Sequence, residues 1–327
     1  MESRRTAFRQ LGGLASSLLF PGLVSATSER YPSQPIKVLV GFPAGGPLDV
    51  GTRLVMERVA KAMNTVAVVE NKPGASGMLA GQHVAAAPPD GYSLLLGVTA
   101  NMAISRYLYT KMPYNPDTDL RPAAQFAVSQ NVIYARKESG VSTLAQFLDR
   151  VRASPGKYNY ASPGIGTTPH LTMEMLKATD RLFIVHVPFR GSPQAVNAVV
   201  AGDVEFGVDA VSPVIGMAQA GRVVALAQTG ERRSTFFPDA PTLRELGLRG
   251  FPTGTFLGIF APAKLADETA HLLEAQVRAA IDEPDVRNRL HGMGLDAAFL
   301  DSRQFAASIQ SQLPFWKRAV EYSGAKV

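Results

Sequence analysis

The stretch IKVLVGFPAGGPLD, residues 36–49, decides the fold class of this chain. Residues 36–42 are rich in β-branched and apolar side chains, which predicts a strand. The glycines that follow free the backbone to turn, and Pro47 suits the first turn of a helix. A strand, a glycine-rich turn and a helix in this order are typical of α/β proteins.

Strand-like and helix-like segments alternate along the chain beyond this stretch. Val55, Val59 and Met63 are four residues apart, as on one face of a helix. In residues 204–208, apolar side chains alternate with polar or small ones, which predicts a strand with one buried face. Further strands are predicted at 66–69, 93–98, 132–135, 158–160, 183–187, 223–227 and 256–261, and a helix near 78–87. The alternation predicts an α/β fold with a largely parallel sheet.

The last part of the chain, beyond Pro262, reads as nearly all helix. Phe305, Ile309, Leu313 and Trp316 follow one another at intervals of four, four and three residues, so they form the apolar face of a final helix. Such a face must pack on a sheet that precedes it in sequence. We therefore expect the chain to leave a first domain and to return to it at its carboxyl end.

The amino-terminal residues 1–26 have the parts of a secretory signal peptide. Arg4, Arg5 and Arg9 form a basic head, an apolar run follows, and small residues end at Ala26, where we expect cleavage. The run is too short to span a bilayer. An amphipathic helix is the alternative. General secretion into the periplasm is expected, and the Arg-Arg pair makes the twin-arginine route the alternative.

The composition excludes several classes of site. The 327 residues contain no cysteine, which excludes disulfides, iron–sulfur clusters, thiolate zinc sites and a cysteine nucleophile. The formal net charge of +6 falls by two when the leader is removed. No basic run with interleaved aromatic residues indicates nucleic-acid binding, and no later segment is long enough for a membrane helix. We expect a soluble, monomeric mature protein.

The first glycine-rich loop, residues 41–49, is a candidate anion site. Gly41 and Gly46 are spaced as in a phosphate-binding loop, but Pro47 and Leu48 replace its Lys and Ser/Thr, so nucleotide hydrolysis is not expected. Unpaired N–H groups at a helix N-terminus attract a carboxylate as readily as a phosphate. Asp49 falls in the first helical turn, where helix capping and contact with a ligand are both open.

A second glycine-rich loop, residues 160–170, repeats this arrangement. It contains a strand, glycines, Thr167 and Thr168, and then a helix that starts near Pro169. A dinucleotide-binding fingerprint is excluded because Pro169 occupies the third glycine position. Two helix N-termini, one in each half of the chain, would suit a small anion if they faced each other across a cleft.

The remaining chemistry-bearing residues form no metal or catalytic pattern. His170 has no partner histidine at metal-ligand spacing, so no metal site is expected. Neither G-x-S-x-G nor H-E-x-x-H is present, so the order of residues does not indicate a hydrolase. An exported hydrolase that uses a serine and one of the histidines is the enzymatic alternative. Arg190 is either a cation for the cleft or a solvated charge. Asp209 ends its strand where α/β proteins bind ligands, and a turn-forming role is the alternative.

In order along the chain, these motifs resemble those of the Bug family, the extracytoplasmic solute receptors of tripartite tricarboxylate transporters. The matching segments are 35–40, 45–53, 69–74, 89–92, 114–116, 162–170, 188–192, 201–204, 241–247, 259–262 and 316–326, which span essentially the whole mature chain. This chain departs from the family pattern at Pro47-Leu48 and at Phe189, where a tyrosine is usual. The lost hydroxyl implies a ligand less polar than a citrate-like acid.

The resemblance implies a type II periplasmic-binding-protein fold, with two hinged α/β lobes and carboxyl-terminal helices that return to lobe 1. The implied division is a signal peptide at 1–26, lobe 1 at 27–128 and 251–327, and lobe 2 at 129–250. The resemblance also implies a small carboxylate as the ligand and membrane permease subunits as the partners, with no enzymatic activity and no cofactor. Presentation of the liganded protein to a sensor kinase is the alternative. The implied ligand contacts are Phe42, Pro43, Ala44, Gly45, Asp49, Thr99, Asn101, Ser162, Gly166, Thr167, Thr168, His170 and Asp209.

Overall fold

The computed structural model describes residues 31–326, and the predicted signal peptide lies outside them. The strands are β1 Ile36–Val40, β2 Ala67–Asn71, β3 Ser93–Val98, β4 Leu120–Arg136, β5 Asn159–Ser162, β6 Val185–Pro188, β7 Phe206–Ala210, β8 Val223–Gln228, β9 Gly254–Pro262 and β10 Asp296–Asp301. The α-helices are α1 Pro47–Ala62, α2 Met78–Ala85, α3 Ser105–Leu108, α4 Leu144–Ala153, α5 Thr168–Asp180, α6 Ser192–Ala201, α7 Val211–Gln219, α8 Asp267–Asp282, α9 Pro284–Gly292 and α10 Ser302–Ser323. Strands and helices alternate as predicted.

These ten strands form one sheet, which β4 divides into two parts. The order is β2-β1-β3-β9-β4-β7-β5-β6, with β8 and β10 also paired to β4. The outer strands pair in parallel: β1 pairs with β2 and with β3, and β5 pairs with β6 and with β7. The expectation of a largely parallel sheet is wrong at the centre, where the pairs of β4 and β9 are antiparallel. Strand β4 carries the chain out of the first part, and β9 begins where the chain returns to it, so the two strands run in opposite directions.

Strand β4 joins the two parts because it belongs to both. Its residues 120–130 pair with β9, and its residues 131–135 pair with β7. We call the strands on the β9 side the first part of the sheet and those on the β7 side the second part. At the crossing, the Asn131 N–H donates to Thr229 Oγ1 at 2.9 Å. Only residues 132–135 are predicted as strand from the sequence, because 120–130 has few β-branched residues and is held extended by its neighbours.

Helices cover both faces of each part. In the first part, α1 and α8 bury one face and α2 and α10 the other. In the second part, α4 and α5 cover one face, and α6 and α7 cover the other. Residues 206–209 of β7 are buried on both faces, so the expectation of one buried face for this strand is wrong. The helices of the second part leave neither side of β7 to solvent.

The final helix returns to the first part, as its apolar periodicity predicts. Phe305 is fully buried, with its ring centroid 5.1 Å from that of Phe256 and 5.2 Å from that of Phe260. Further along α10, Trp316 is also fully buried, in a cluster with Leu171 of α5. The helix therefore packs on the first part and also reaches the second. The segment after Pro262 is not all helical, because β10 adds a half-buried edge strand beside β4.

Candidate functional site

The first glycine-rich loop joins β1 to α1 and is open to solvent. Pro43, Ala44 and Gly45 are exposed, whereas Phe42 is half-buried. Pro47 is the first residue of α1, as predicted, and the residue that precedes it caps the helix with no side-chain hydrogen bond. The N-terminal N–H groups of α1 are therefore left without an internal cap.

Asp49 holds this loop in place. It is 2% exposed, and its Oδ2 accepts the N–H of Gly45 at 2.9 Å. Its Oδ1 accepts Nε–H of Arg53 at 3.0 Å and Nδ2–H of Asn71 at 2.9 Å. Burial alone would raise the pKa of Asp49, but these donors lower it below its ordinary value. The carboxylate is thus ionised and engaged by three donors of its own chain.

Thr99 and Asn101 lie just after β3, and their side chains are bonded within the protein. Thr99 Oγ1 donates to the Gly254 carbonyl at 3.2 Å and accepts the Phe256 N–H at 3.0 Å. Asn101 Oδ1 accepts the Val98 N–H at 2.8 Å. Both residues are fully buried, and Thr99 ties the end of β3 to the start of β9.

Asn101 also brings the predicted residues of the first part together. Gly77 has a φ of +87°, and a β-carbon there would lie 3.2 Å from Asn101 Nδ2 and 3.2 Å from the Phe42 ring. A larger residue at Gly77 would therefore push into both side chains. The predicted residues Phe42 and Asn101 thus both lie beside Gly77.

The second glycine-rich loop joins β5 to α5. Thr167 caps the helix, and its Oγ1 accepts the N–H of His170 at 3.4 Å. The Gly166 N–H donates to His170 Nδ1 at 3.2 Å. Gly166 has a φ of +76°, and a β-carbon on it would lie 2.4 Å from Leu108 of α3. This loop therefore touches a residue that precedes β4, across the boundary between the parts.

Two histidine rings stack beneath the second loop. The rings of His170 and His186 are 4.0 Å apart with an angle of 24°, and His186 stacks in turn on Tyr160 at 4.8 Å. Burial, together with the nearby Lys177 ammonium, lowers the pKa of His170 to about 4. Burial and the adjacent His170 lower the pKa of His186 to about 3. Both rings are therefore neutral at neutral pH.

A buried carboxylate completes this network. Glu174 Oε1 accepts the Tyr160 hydroxyl at 2.5 Å, and Lys177 Nζ donates to both Glu174 oxygens at 2.7 and 2.9 Å. Nε2 of His170 lies 3.9 Å from Oε1 of Glu174. His170, Glu174 and Lys177 are spaced i, i+4 and i+7 on α5, a pattern that was visible in the sequence. Sequence reasoning missed His186, because nothing local places it against this helix face.

Asp209 lies at the end of β7, deep in the second part. Its Oδ1 accepts the Ser192 hydroxyl at 2.8 Å and the Ala210 N–H at 2.7 Å. Its Oδ2 is buried and has no hydrogen-bond partner within residues 31–326. Burial raises the pKa of Asp209 to about 7, although the two donors favour the ionised form. The residue is neither a simple turn former nor a fully satisfied carboxylate.

The predicted residues of the two parts meet at the start of β9. Thr168 Oγ1 and Thr255 Oγ1 are 2.8 Å apart, and the residues on either side of Thr255 bind Thr99. Thr255 was not among the predicted residues, because its neighbours in the fold are distant in sequence. The start of β9 is thus the place where the first and second groups of candidate residues are joined.

Two cavities lie apart from these loops. One of about 550 Å³ is lined by Gln130, Asp296 and Arg232 among others, and one of about 490 Å³ by Arg249 and Phe315 among others. None of the predicted contact residues lines either cavity. Within residues 31–326 no cluster of three His, Asp or Glu could hold a metal ion. In the same range no helix has the length and apolar character of a membrane span.

Comparison with known proteins identifies the family. Residues 52–324 match the family described as "Tripartite tricarboxylate transporter family receptor". A protein of Pseudomonas sp. strain P51, described as "UPF0065 protein in tcbD-tcbE intergenic region", is 33% identical over 316 residues, 96% of this chain and 94% of the relative.

Solved structures give the same result. MatC from Rhodopseudomonas palustris with bound malate is 31% identical with a TM-score of 0.74, over 89% of this chain and 100% of that protein. Another R. palustris protein, solved with adipate, is 26% identical with a TM-score of 0.79, over 91% of this chain and 100% of that protein. The periplasmic-binding-protein fold and the resemblance to the Bug family are thereby confirmed. The chain belongs to the tripartite tricarboxylate transporter receptor family, whose members are periplasmic solute-binding receptors and not enzymes.

Proposed function

We propose that this receptor captures a small carboxylate between the two parts of its sheet, with N–H groups of both glycine-rich loops as the donors. The observation that carries the proposal is the first residue of α5. Thr168 is 5% exposed, and its N–H donates to no acceptor within residues 31–326. An N–H group in the first turn of a helix has no partner within the helix, and its position at the N-terminus favours an anion.

The relatives support the chemical class of the ligand. Malate and adipate, the compounds in the two solved R. palustris proteins, are both dicarboxylates. In the second part, the charges of Glu174 and Lys177 neutralise each other. Phe189 packs against an apolar cluster where the family usually has a tyrosine. A carboxylate with an apolar body therefore suits this chain better than a citrate-like acid.

The predicted contact residues divide into two roles. Phe42, Pro43, Ala44 and Gly45 line the solvent-open first loop, and Thr168 begins the helix of the second, so these five contact the ligand. The other members support the loops from beneath through the bonds described above, namely Asp49, Thr99, Asn101, Ser162, Gly166, Thr167 and His170. Asp209, with its unpaired Oδ2, is the candidate acceptor for a hydroxyl or amino group of the ligand.

Closure of two lobes would complete capture. The proposed lobes are residues 27–128 with 251–327, and residues 129–250. Support comes from β4 and β9, because β4 changes its pairing between residues 130 and 131 and β9 begins at Gly254. The chain thus crosses between the lobes within β4 and again just before β9, and two such adjacent crossings can act as a hinge whose closure excludes water from a bound carboxylate.

The captured solute would pass to membrane permease subunits of a tripartite transporter. We further propose that residues 1–26 are cleaved on export to the periplasm, by general secretion. Sequencing of the amino terminus of the protein from a periplasmic fraction should start near residue 27. Deletion of the gene should abolish uptake of the ligand. Normal uptake with an altered transcriptional response would instead favour presentation to a sensor kinase.

A ligand panel tests the binding proposal directly. Malate, adipate and a series of aliphatic and aromatic monocarboxylates are added to the purified protein, and the melting temperature is recorded. A ligand at 100 times its dissociation constant stabilises the folded state by about 2.7 kcal/mol, which is easily measured. Failure of the whole panel to shift the melting temperature or to bind in calorimetry would overturn the proposal.

A matched pair of threonine variants then tests the site. Thr168→Ala breaks the 2.8 Å contact with Thr255 at the first turn of α5 and should weaken ligand binding. Thr143→Ala removes the N-cap of α4, whose Oγ1 accepts the Gln146 N–H at 3.2 Å, and should leave binding unchanged. Equal affinities for the two variants would exclude the Thr168 side chain from the site.

A further inference from the structure

The N–H groups of the second glycine-rich loop fall into two sets. Gly164 N–H donates to Ser162 Oγ at 3.2 Å, and Gly166 N–H donates to His170 Nδ1 at 3.2 Å. Both donors are therefore engaged by side chains of the protein. The N–H groups of Ile165 and Thr168 have no acceptor within residues 31–326. The Thr167 N–H donates to the Gly164 carbonyl at 3.4 Å. Three N–H groups of this short loop are thus used internally, and those of Ile165 and Thr168 are left for a ligand.

The internal acceptors depend on the two stacked histidines. Nδ1 of a histidine accepts a hydrogen bond only when that nitrogen carries no proton. The acceptor role of His170 is secured by its burial, at 3% exposure, and by the neutral state of its ring. The Lys177 ammonium, held against Glu174, disfavours a second positive charge nearby.

His186 acts on the other end of the loop. Its Nε2 is 2.7 Å from Ser162 Oγ, the same oxygen that accepts the Gly164 N–H. Its ring stacks on that of His170 at 4.0 Å and on that of Tyr160 at 4.8 Å, and these two contacts hold it in position. The stack therefore ties the acceptor for Gly164 to the acceptor for Gly166.

We propose that His170 and His186 are positioning residues that set which N–H groups of the second loop face the ligand. They hold the Gly164 and Gly166 N–H groups inward, so that those of Ile165 and Thr168 point outward to receive a carboxylate oxygen. This role goes beyond direct ligand contact by His170, and its ligand-binding consequence rests on the proposed function. Neither ring touches the carboxylate.

The first experiment needs no ligand. In ¹⁵N-labelled wild-type protein, an N–H···N hydrogen bond transmits a scalar coupling between the Gly166 nitrogen and His170 Nδ1. We expect that coupling to be observed, and the ¹⁵N shifts of both rings to be those of neutral histidine at pH 7. Absence of the coupling, or a protonated His170 ring at that pH, would overturn the proposal.

The second experiment uses variants and malate and adipate as probes. His170→Ala removes the acceptor for Gly166 and should weaken binding about tenfold, as for the loss of one well-formed hydrogen bond. His170→Asn places an oxygen close to the position of Nδ1 and should restore most of the affinity. His271→Ala, at an exposed position on α8, is the control and should bind as the wild type does.

The outcomes separate this inference from the proposed function. If neither malate nor adipate binds the wild type, these compounds are not ligands of the protein. The coupling between Gly166 and His170 then still decides the role of His170. If the probes bind and His170→Asn is as weak as His170→Ala, the ring itself is needed and the positioning role is refuted. Unchanged affinity in His170→Ala would refute it as well. The positioning role is supported if the coupling is present and if affinity is lost in His170→Ala but restored in His170→Asn.

Discussion

Replacement of Asp49 by asparagine tests whether a buried charge holds the first glycine-rich loop. The carboxylate uses both oxygens, Oδ2 for the Gly45 N–H and Oδ1 for Arg53 and Asn71. Asparagine keeps the shape but offers one acceptor oxygen and one donor nitrogen. Whichever way the amide is turned, at least one donor of the protein then faces another donor.

The expected loss follows from these contacts. A hydrogen bond to a charged acceptor contributes about 1.5–3 kcal/mol, and an exposed ion pair about 0.5 kcal/mol. The side chain of Arg53 is 44% exposed, so its share belongs to the weaker class. We expect the free energy of unfolding of Asp49→Asn to be about 2–3 kcal/mol below that of the wild type at neutral pH.

The pH dependence of this difference has a defined sign. The donors around Asp49 lower its pKa in the folded protein, although burial opposes them, whereas the unfolded pKa is about 3.9. The contribution of the charge is therefore full above about pH 4 and is lost as the pH falls through the folded pKa. Wild type and variant should converge in acid, because protonated aspartate resembles asparagine.

Urea unfolding followed by circular dichroism, at neutral pH and in steps below about pH 4, measures this difference. Asp203→Asn, at an exposed position after α6, is the control and should match the wild type throughout. Equal unfolding midpoints for Asp49→Asn and the wild type at neutral pH would refute the role of the charge. A difference that persists unchanged into acid would show that shape, and not charge, is responsible.

Three further substitutions test the packing. Trp316→Ala empties a fully buried site between α10 and α5. In urea titration it should lower the free energy of unfolding by about 3–5 kcal/mol, and a loss below about 1 kcal/mol would contradict this packing. Gly258→Ala places a β-carbon 2.2 Å from Phe305 and should prevent stable folding, seen as loss of a cooperative thermal transition. Gly216→Ala, in α7 with no atom within 4 Å of the new carbon, should instead stabilise by up to about 1 kcal/mol, and destabilisation would be the contrary result.

Local patterns were enough to predict most strands and the helices α1, α2, α5 and α10. Pro47 starts α1, and the apolar spacing from Phe305 to Trp316 marks the buried face of α10. These signals are readable because glycine, proline and apolar periodicity act over a few residues. The strand at 120–130 and β10 were missed, because their conformation comes from pairing with β9 and β4, which are distant in sequence.

The stretch at residues 36–49 illustrates what the sequence by itself determined. Its strand, glycine turn and helix follow from local backbone preferences, and the order of such motifs led to the family. The tertiary structure alone decided that Asp49 binds its own loop, that Thr168 meets Thr255, and that His186 stacks on His170. These pairings cannot be read from spacing, because hydrogen bonds and ring stacking depend on distances that only the folded chain fixes.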